Sequence, residues 1–406
     1  MGSVTRTLRR QLPVSDTIAL GVGGMLGAGV FAAFGPASAV AGTYALVGLV
    51  LAALLAACSA FSTADQARAF PGDGAGYRYT THLLGAWPGR MAGSASIAGR
   101  LAAAAAIAGT FGAYVTPSRP LFGALGVLAV ATALDVVGFR LNRKVNWAVV
   151  AIVAITLGLV VAACFAVPPP PITNAPDADQ PLGLLPSAGI LVFAFLGFER
   201  ITAPALDEPS FTARRLHLAI PVTLVLVLGV YLAVGAAAFR QLGPSRLALS
   251  PTPLLDAVTS ADGQWLVPLV AAGAAVATVA ALLGVLSGAR QTVTAVANND
   301  NLPAVLKHDR VAGWAGGAVA AVLAVAMEPS TAIGFAACAM LAYYAFTNAS
   351  ARILLREDRT WPMRTACFGL GLSVLYGMTM PPFLLAATIA VVLLGSAGMS
   401  LYRRTV

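Results

Sequence analysis

Apolar residues in this chain come in long uninterrupted runs rather than alternating with polar ones. A run of about 20 apolar residues crosses the roughly 30 Å hydrocarbon core of a bilayer as one α-helix. Twelve runs reach or approach that length. They lie near 15–36, 39–63, 91–116, 120–139, 145–167, 185–206, 217–239, 264–288, 312–327, 331–351, 364–380 and 382–401. The ninth and eleventh are the shortest. Short turns join the first pair at Gly35-Pro36 and the last pair at Pro381-Pro382. The pattern predicts an all-α integral membrane protein of 12 transmembrane helices.

Two of these spans are interrupted. The first contains Gly21-Val22-Gly23-Gly24-Met25-Leu26-Gly27-Ala28-Gly29. The sixth contains Phe193-Ala194-Phe195-Leu196-Gly197-Phe198-Glu199, with Pro204 following. They are five spans apart. Five is odd, so a repeat of that length sits upside down relative to its partner. Glycine-interrupted segments at matching places in inverted repeats point to a transporter binding site.

Composition supports the membrane reading. Of the 406 residues 58% are hydrophobic and 10% charged, against roughly 25% charged in an ordinary soluble domain. Disorder is excluded, because it needs low hydrophobicity and high net charge. A soluble globular enzyme would lack the charged surface it needs. The net charge of +9 does not point to nucleic acid, because the basic residues sit in short gaps between the spans. With the N-terminus inside, twenty of the 25 Lys and Arg fall on the cytoplasmic side, from Arg6, Arg9 and Arg10 through Arg140, Arg143 and Lys144 to Arg403 and Arg404. Only Arg119, Arg240 and Arg246 fall outside, and Arg100 and Arg200 lie within spans. This is the positive-inside asymmetry. It predicts an even number of spans, both termini cytoplasmic, and location in the inner (plasma) membrane. The first apolar run is too long for a signal-peptide core, so it reads as a retained span.

The loops are short, and no extramembrane domain is expected. The longest outer connections are Pro168–Leu184, with four consecutive prolines, and Gln241–Gly263. On the inner side Ala64–Arg90 and Gln291–Val311 are longer and partly helical in pattern. Cys58, Cys164, Cys338 and Cys367 form no C-x-x-C motif, and the three histidines (His82, His217, His308) form no metal-ligand cluster. No metal, cofactor or enzymatic chemistry is expected.

The glycine-rich stretch of span 1 has three readings. Gly27-Ala28-Gly29-Val30-Phe31-Ala32 fits a loose dinucleotide pattern, rejected because no βαβ unit surrounds it. Gly23 and Gly27 also form a G-x-x-x-G, which lets helices approach closely. The third reading is an unwound segment whose free N–H groups suit a carboxylate. The second and third stand level on span 1 alone. Span 6 favours the third, because free carbonyls at a second break suit an ammonium group. Two facing breaks match a zwitterion. Phe193, Phe195 and Phe198 are candidates to close over an apolar side chain, or are ordinary packing residues.

These residues resemble the amino acid–polyamine–organocation (APC) superfamily of amino acid permeases. Ile18–Gly42, with G-V-G-G-M-L-G-A-G-V-F and G-P-A-S-A-V-A-G, is similar to that family's first span, and Val192–Glu199, V-F-A-F-L-G-F-E, to its sixth. Asp207-Glu208, Arg214 and Ala219-Ile220-Pro221 resemble its inner-loop pattern, with Phe211 and Thr212 in place of the usual Asn-Pro. Ser287-Gly288-Ala289-Arg290 and Asn299-Asp300-Asn301-Leu302-Pro303 resemble the stretch after span 8. The resemblance implies a LeuT-type 5+5 inverted repeat with discontinuous helices 1 and 6 and two additional C-terminal helices. The permease domain would span 1–406, with repeats at 15–167 and 185–351 and the added helices at 364–401. It implies that Gly27, Ala28 and Gly29, with Met25 and Leu26, face the substrate carboxylate. Phe193, Ala194 and Leu196 would offer carbonyls to the amine, and Phe193 would act as a gate.

Intramembrane charges cost on the order of 2.5–3.5 kcal/mol on insertion scales, which makes Arg100, Glu199 and Arg200 candidates for function. By resemblance Glu199 is a proton-linked site. By its own surroundings it is an ion-pair partner of Arg100 or Arg200. Two Arg beside one Glu favour the charged carboxylate, and so the ion pair. Some proton-coupled relatives carry a Lys in span 5, where Val153 stands here. That departure counts against a Lys-based proton coupling and leaves uniport or exchange open beside proton symport.

The expected function is secondary active transport of amino acids by alternating access. The expected partners are an amino acid, protons as candidate coupling ion, and the lipid bilayer, with no nucleic acid and no obligate protein partner. The alternatives are a polyamine or amine carrier of the same fold and a transport-inactive amino acid sensor. A sensor would need a signalling domain or long tail, and only Leu401–Val406 follows the last run.

Overall fold

The computed structural model describes residues 13–171, 179–202 and 213–405. Among them the regular elements are helices, with no strand. A lipid-embedded chain must satisfy its backbone N–H and C=O groups internally, and helices do so within one segment. The first span is α1 (Val14–Met25) and α2 (Ala28–Ala32), running through Ala33 into α3 (Phe34–Ala41). Then come α4 (Ala45–Ala69), α5 (Ala75–Leu84), α6 (Ala86–Val115), α7 (Pro120–Val137) and α8 (Arg143–Ala166). The sixth span contains α9 (Leu184–Leu191), a tighter turn over Val192–Phe195, and α10 (Glu199–Thr202). The rest is α11 (Ala213–Leu249), α12 (Pro253–Ser260), α13 (Val267–Asn298), α14 (Asp309–Ala326), α15 (Pro329–Ala351), α16 (Met363–Thr379) and α17 (Pro382–Thr405).

Among the described residues ten helical stretches are long and apolar enough to cross a membrane. The sixth expected span is divided into shorter pieces, and α16 has 17 residues. Pro204, Asp207, Glu208, Phe211 and Thr212 lie outside the described residues, as do Arg6, Arg9 and Arg10.

Local sequence explains most boundaries. Proline opens α7, α12, α15 and α17, where its missing N–H costs nothing. Asn142 caps α8, its Oδ1 accepting from the Val145 N–H at 2.9 Å. One expected turn moves. Gly35-Pro36 lies inside the first turn of α3, a position that tolerates proline, and the chain turns instead at Gly42, whose φ of 61° favours glycine. Helix α13 also runs past its expected end at 288. Arg290, expected in an inner loop, is therefore a buried residue of that helix.

The helices associate in two groups. Helices α1, α3, α4, α9, α10 and α11 pack on one another, and α6 packs against α7, α13, α14, α15 and α17. Lipid is as apolar as leucine, so close packing of small residues and buried polar contacts hold helices together. Ala102–Ala106 of α6 are all buried at such contacts. Between α4 and α15, Gln66 donates to the Thr347 carbonyl at 2.9 Å and accepts from the Ser350 hydroxyl at 2.6 Å.

Candidate functional site

Spans 1 and 6 both break, and the breaks touch. Helix α1 stops at Met25, and Leu26 and Gly27 leave helical geometry before α2. In span 6 the chain turns extended at Leu196 (ψ 135°) and then left-handed at Gly197 (φ 114°). A Cβ on Gly197 would lie 2.2 Å from the Gly24 carbonyl oxygen, and one on Gly29 would lie 2.4 Å from Ala194 Cα. Gly197 is thus required twice, for its φ and for the backbone approach.

Tyr231 of α11 ties the two breaks. Its hydroxyl bonds the Met25 carbonyl and, at 2.8 Å, the Ala194 carbonyl, sharing one proton between them. Both acceptors are carbonyls that the breaks leave outside the helical ladder. A single Tyr in an apolar span gives no sign of this role in sequence. Asn146 of α8 steadies α1 from another side, donating to the Ala19 carbonyl at 2.9 Å.

A cavity of about 380 Å³ lies beside the breaks. Met25, Gly27, Gly29, Phe193, Ala194 and Leu196 line it, so the structure brings together most of the expected site. Leu26 is buried in the core and is not among the lining residues. The Ala28 side chain lies outside what is described. Of the three phenylalanines, only Phe193 faces the cavity. Phe195 packs on Tyr231 and Phe198 on Tyr344, each with ring centroids 5.5 Å apart. The opposite wall could not be placed from sequence. It comprises Ala103 and Ile107 of α6, Ala280, Ala281 and Gly284 of α13, and Met340 of α15.

Among the described residues the cavity reaches an exposed turn. It extends to Asp16 and to the turn Phe139–Asn142, where Phe139 and Asn142 are exposed. Asp16 pairs there with Arg143 at 3.1 Å and accepts from Trp147 Nε1 at 3.0 Å. Helices α2, α6 and α12 are tied together around Phe31. The Tyr114 hydroxyl donates to the Phe31 carbonyl at 2.8 Å and accepts from the Leu254 N–H at 3.2 Å. The Phe31 and Tyr114 rings meet edge to face.

Arg100, Glu199 and Arg200 all line the cavity. Arg100 forms an ion pair with Glu199 Oε2 and donates from Nε to Ser96 Oγ at 3.2 Å. Glu199 Oε1 is buried without a hydrogen-bond partner among the described residues. The Arg200 stem packs against Gly24. The pair links α6 to α10, one helix from each group.

Comparisons with known proteins give the family. Residues 12–399 match the amino acid permease family model. The chain belongs to that family. An uncharacterized transporter of Mycobacterium tuberculosis strain H37Rv is 37% identical over 98% of this chain and 92% of its own length. The branched-chain amino acid permease BcaP of Bacillus subtilis strain 168 is 24% identical over 91% of this chain and 87% of its own. Cationic amino acid transporter 4 of Homo sapiens is 26% identical over 88% of this chain and 61% of its own. The permease is a multi-pass membrane transport protein of the APC superfamily and not an enzyme.

Proposed function

We propose that this permease carries an amino acid with a neutral side chain across the plasma membrane by alternating access. The observation that carries the reading is the contact of two broken spans, at Gly24 with Gly197 and Gly29 with Ala194, beside a cavity that extends to the exposed turn Phe139–Asn142. In this reading all twelve apolar segments cross the bilayer as LeuT-type inverted repeats (15–167 and 185–351) with two added helices (364–401). Both termini are cytoplasmic, and the open mouth at Phe139–Arg143 faces the cytoplasm. N–H groups at Gly27–Gly29 take the carboxylate, and carbonyls at Phe193, Ala194 and Leu196 take the amine. Phe193 closes over the substrate. The α1, α3, α4, α9–α11 group rocks against the α6 group, and Arg100–Glu199 holds the two in register.

Charge supports the neutral side chain. Among the described residues the charged ones lining the cavity are Asp16 and Glu199 against Arg100, Arg140, Arg143 and Arg200. Both carboxylates already face an arginine. An added cationic group or a polyamine would meet net repulsion there. Coupling follows either of two routes, proton symport or exchange, and neither uses a span 5 cation, since Val153 is a buried core residue.

The test is uptake of labelled amino acids into proteoliposomes, with and without an inward proton gradient and with unlabelled amino acid inside. Saturable uptake of neutral amino acids is expected, with lysine and putrescine carried poorly. Stimulation by the gradient identifies symport. Uptake that requires internal amino acid identifies exchange. No flux from folded protein would overturn the reading in favour of a sensor, and preferred uptake of lysine or putrescine would overturn the substrate class.

A further inference from the structure

A second site lies at the ends of α6 and α17, with no lining residue in common with the cavity. The first turns of α6 and the last turn of α17 enclose a groove lined by Trp87, Arg90, Ser400, Arg403 and Arg404. Among the described residues three guanidinium groups line it and no carboxylate does. Arg90 is held in place: its Nε donates to Asn301 Oδ1 at 2.9 Å and its terminal nitrogen to Ser400 Oγ at 2.6 Å. Asn301 is itself buried and fixed, its amide donating to the Tyr77 hydroxyl at 2.9 Å. Arg403 and Arg404 are exposed. A planar guanidinium with a fixed orientation suits a phosphate oxygen.

The surroundings say what kind of phosphate. Trp87 is 47% exposed at the start of a membrane-crossing helix, and tryptophan prefers the headgroup level of a bilayer. On α17 the exposed residues Leu394 and Leu401 lie seven positions apart, and Arg404 follows Leu401 by three. At helical spacing these fall on one face. That face is apolar along the bilayer and cationic where it leaves it. A soluble phosphate would use only the cationic end, whereas a phospholipid uses both. Basic pockets between transmembrane helix ends are known sites for anionic lipid headgroups.

We propose that the α6–α17 groove binds the phosphodiester headgroup of an anionic phospholipid. Arg90 and Arg404 contact the phosphate, Arg403 adds charge, Trp87 packs at headgroup level, and Leu394 and Leu401 carry an acyl chain. The site is separate from the transport cavity and shares no lining residue with it.

The experiment is native mass spectrometry of the purified full chain with phosphatidylglycerol or phosphatidylcholine of matched acyl chains. Preferential retention of phosphatidylglycerol is expected. In Arg403→Gln/Arg404→Gln, whose altered residues are exposed and leave the fold intact, that preference falls about tenfold or more, following the usual contribution of a surface arginine. Arg90→Gln lowers it independently. A charge-matched control, Arg352→Gln/Arg356→Gln, removes two exposed arginines elsewhere and leaves the preference unchanged. Equal retention of both lipids would overturn the proposal, as would an equal loss in the control pair. Displacement of phosphatidylglycerol by millimolar inorganic phosphate would reassign the groove to a soluble anion and overturn the lipid reading.

Discussion

Two largely buried arginine–carboxylate pairs join separate helices, and they are completed differently. Arg290 of α13 meets both oxygens of Asp135 of α7, at 2.9 Å through Nε and 3.4 Å through a terminal nitrogen. Its other terminal nitrogen meets Asp309 of α14 at 3.0 Å. Both Arg290 and Asp135 are buried, and every oxygen of Asp135 has a partner. Arg100–Glu199 borders a cavity instead, and Glu199 Oε1 has no partner among the described residues. The first pair stays within the α6 group of helices and its neighbours. The second spans the two groups. A saturated pair has no vacancy through which to exchange partners, so it fixes geometry. A half-completed pair beside a polar space can open and re-form at lower cost, because solvent or substrate replaces the lost contact.

The largest effect should come from breaking the saturated pair. Asp135→Ala leaves Arg290 buried beside a single, exposed carboxylate, and a loss of about 3–5 kcal/mol is expected. It would appear as a steep fall in apparent Tm in detergent. A loss below about 1 kcal/mol would erase the contrast between the pairs.

Next in size is Tyr231→Phe. It removes the hydroxyl between the two breaks and leaves two buried carbonyls short of a donor, at about 1–3 kcal/mol. Uptake should fall about tenfold, more than the change in Tm alone would account for. Full uptake would remove Tyr231 from the mechanism.

Glu199→Gln sharpens the comparison from the other side. The amide oxygen still accepts from Arg100, so stability should change by no more than about 1–2 kcal/mol. Uptake should drop several-fold while its pH profile keeps its shape. A flattened profile would instead make Glu199 the proton-linked site.

Smaller still is Arg143→Gln at the cavity mouth. Arg143 is 62% exposed, and exposed pairs contribute at most about 1 kcal/mol. The equilibrium between open and closed mouth, read by fluorescence of a label at the turn, should move fivefold or less. Least of all is the surface pair Asp300–Lys307. The Lys307 ammonium, hydrogen-bonded to it, holds the Asp300 carboxyl below its usual value of 3.8. A depressed carboxyl contributes above its unfolded pKa and loses that contribution as pH falls through the folded one. Lys307→Gln should therefore leave the Tm difference from wild type constant between about pH 6 and 8 and shrink it only in acid.

How much of this was legible in sequence follows from the kind of signal each residue gives. The breaks at Gly27 and Gly197 were readable because glycine inside an apolar run is costly unless the backbone needs it. The Arg100–Glu199 contact was open to inference because isolated charge in a span demands a partner. The Asp135–Arg290 pair was hidden, since both residues lie near span ends where a charge looks like loop. The turn at Gly42 was mistaken for Gly35-Pro36, because proline in a first helical turn and proline in a loop read alike. The α13 wall of the cavity was hidden too. Alanine and glycine there look the same whether they face a helix or a void.

The two hydrogen bonds of Tyr114 bear on proton leakage. A chain of waters conducts protons only through groups that keep a free lone pair and can release a hydrogen onward. At Tyr114 the hydrogen is committed to the Phe31 carbonyl and the oxygen already receives the Leu254 amide. With its hydrogen and an acceptor site both committed to backbone groups, the Tyr114 hydroxyl is a poor relay for a proton, and Tyr114→Phe, which frees the Phe31 carbonyl and the Leu254 amide, should raise passive proton leak through reconstituted protein.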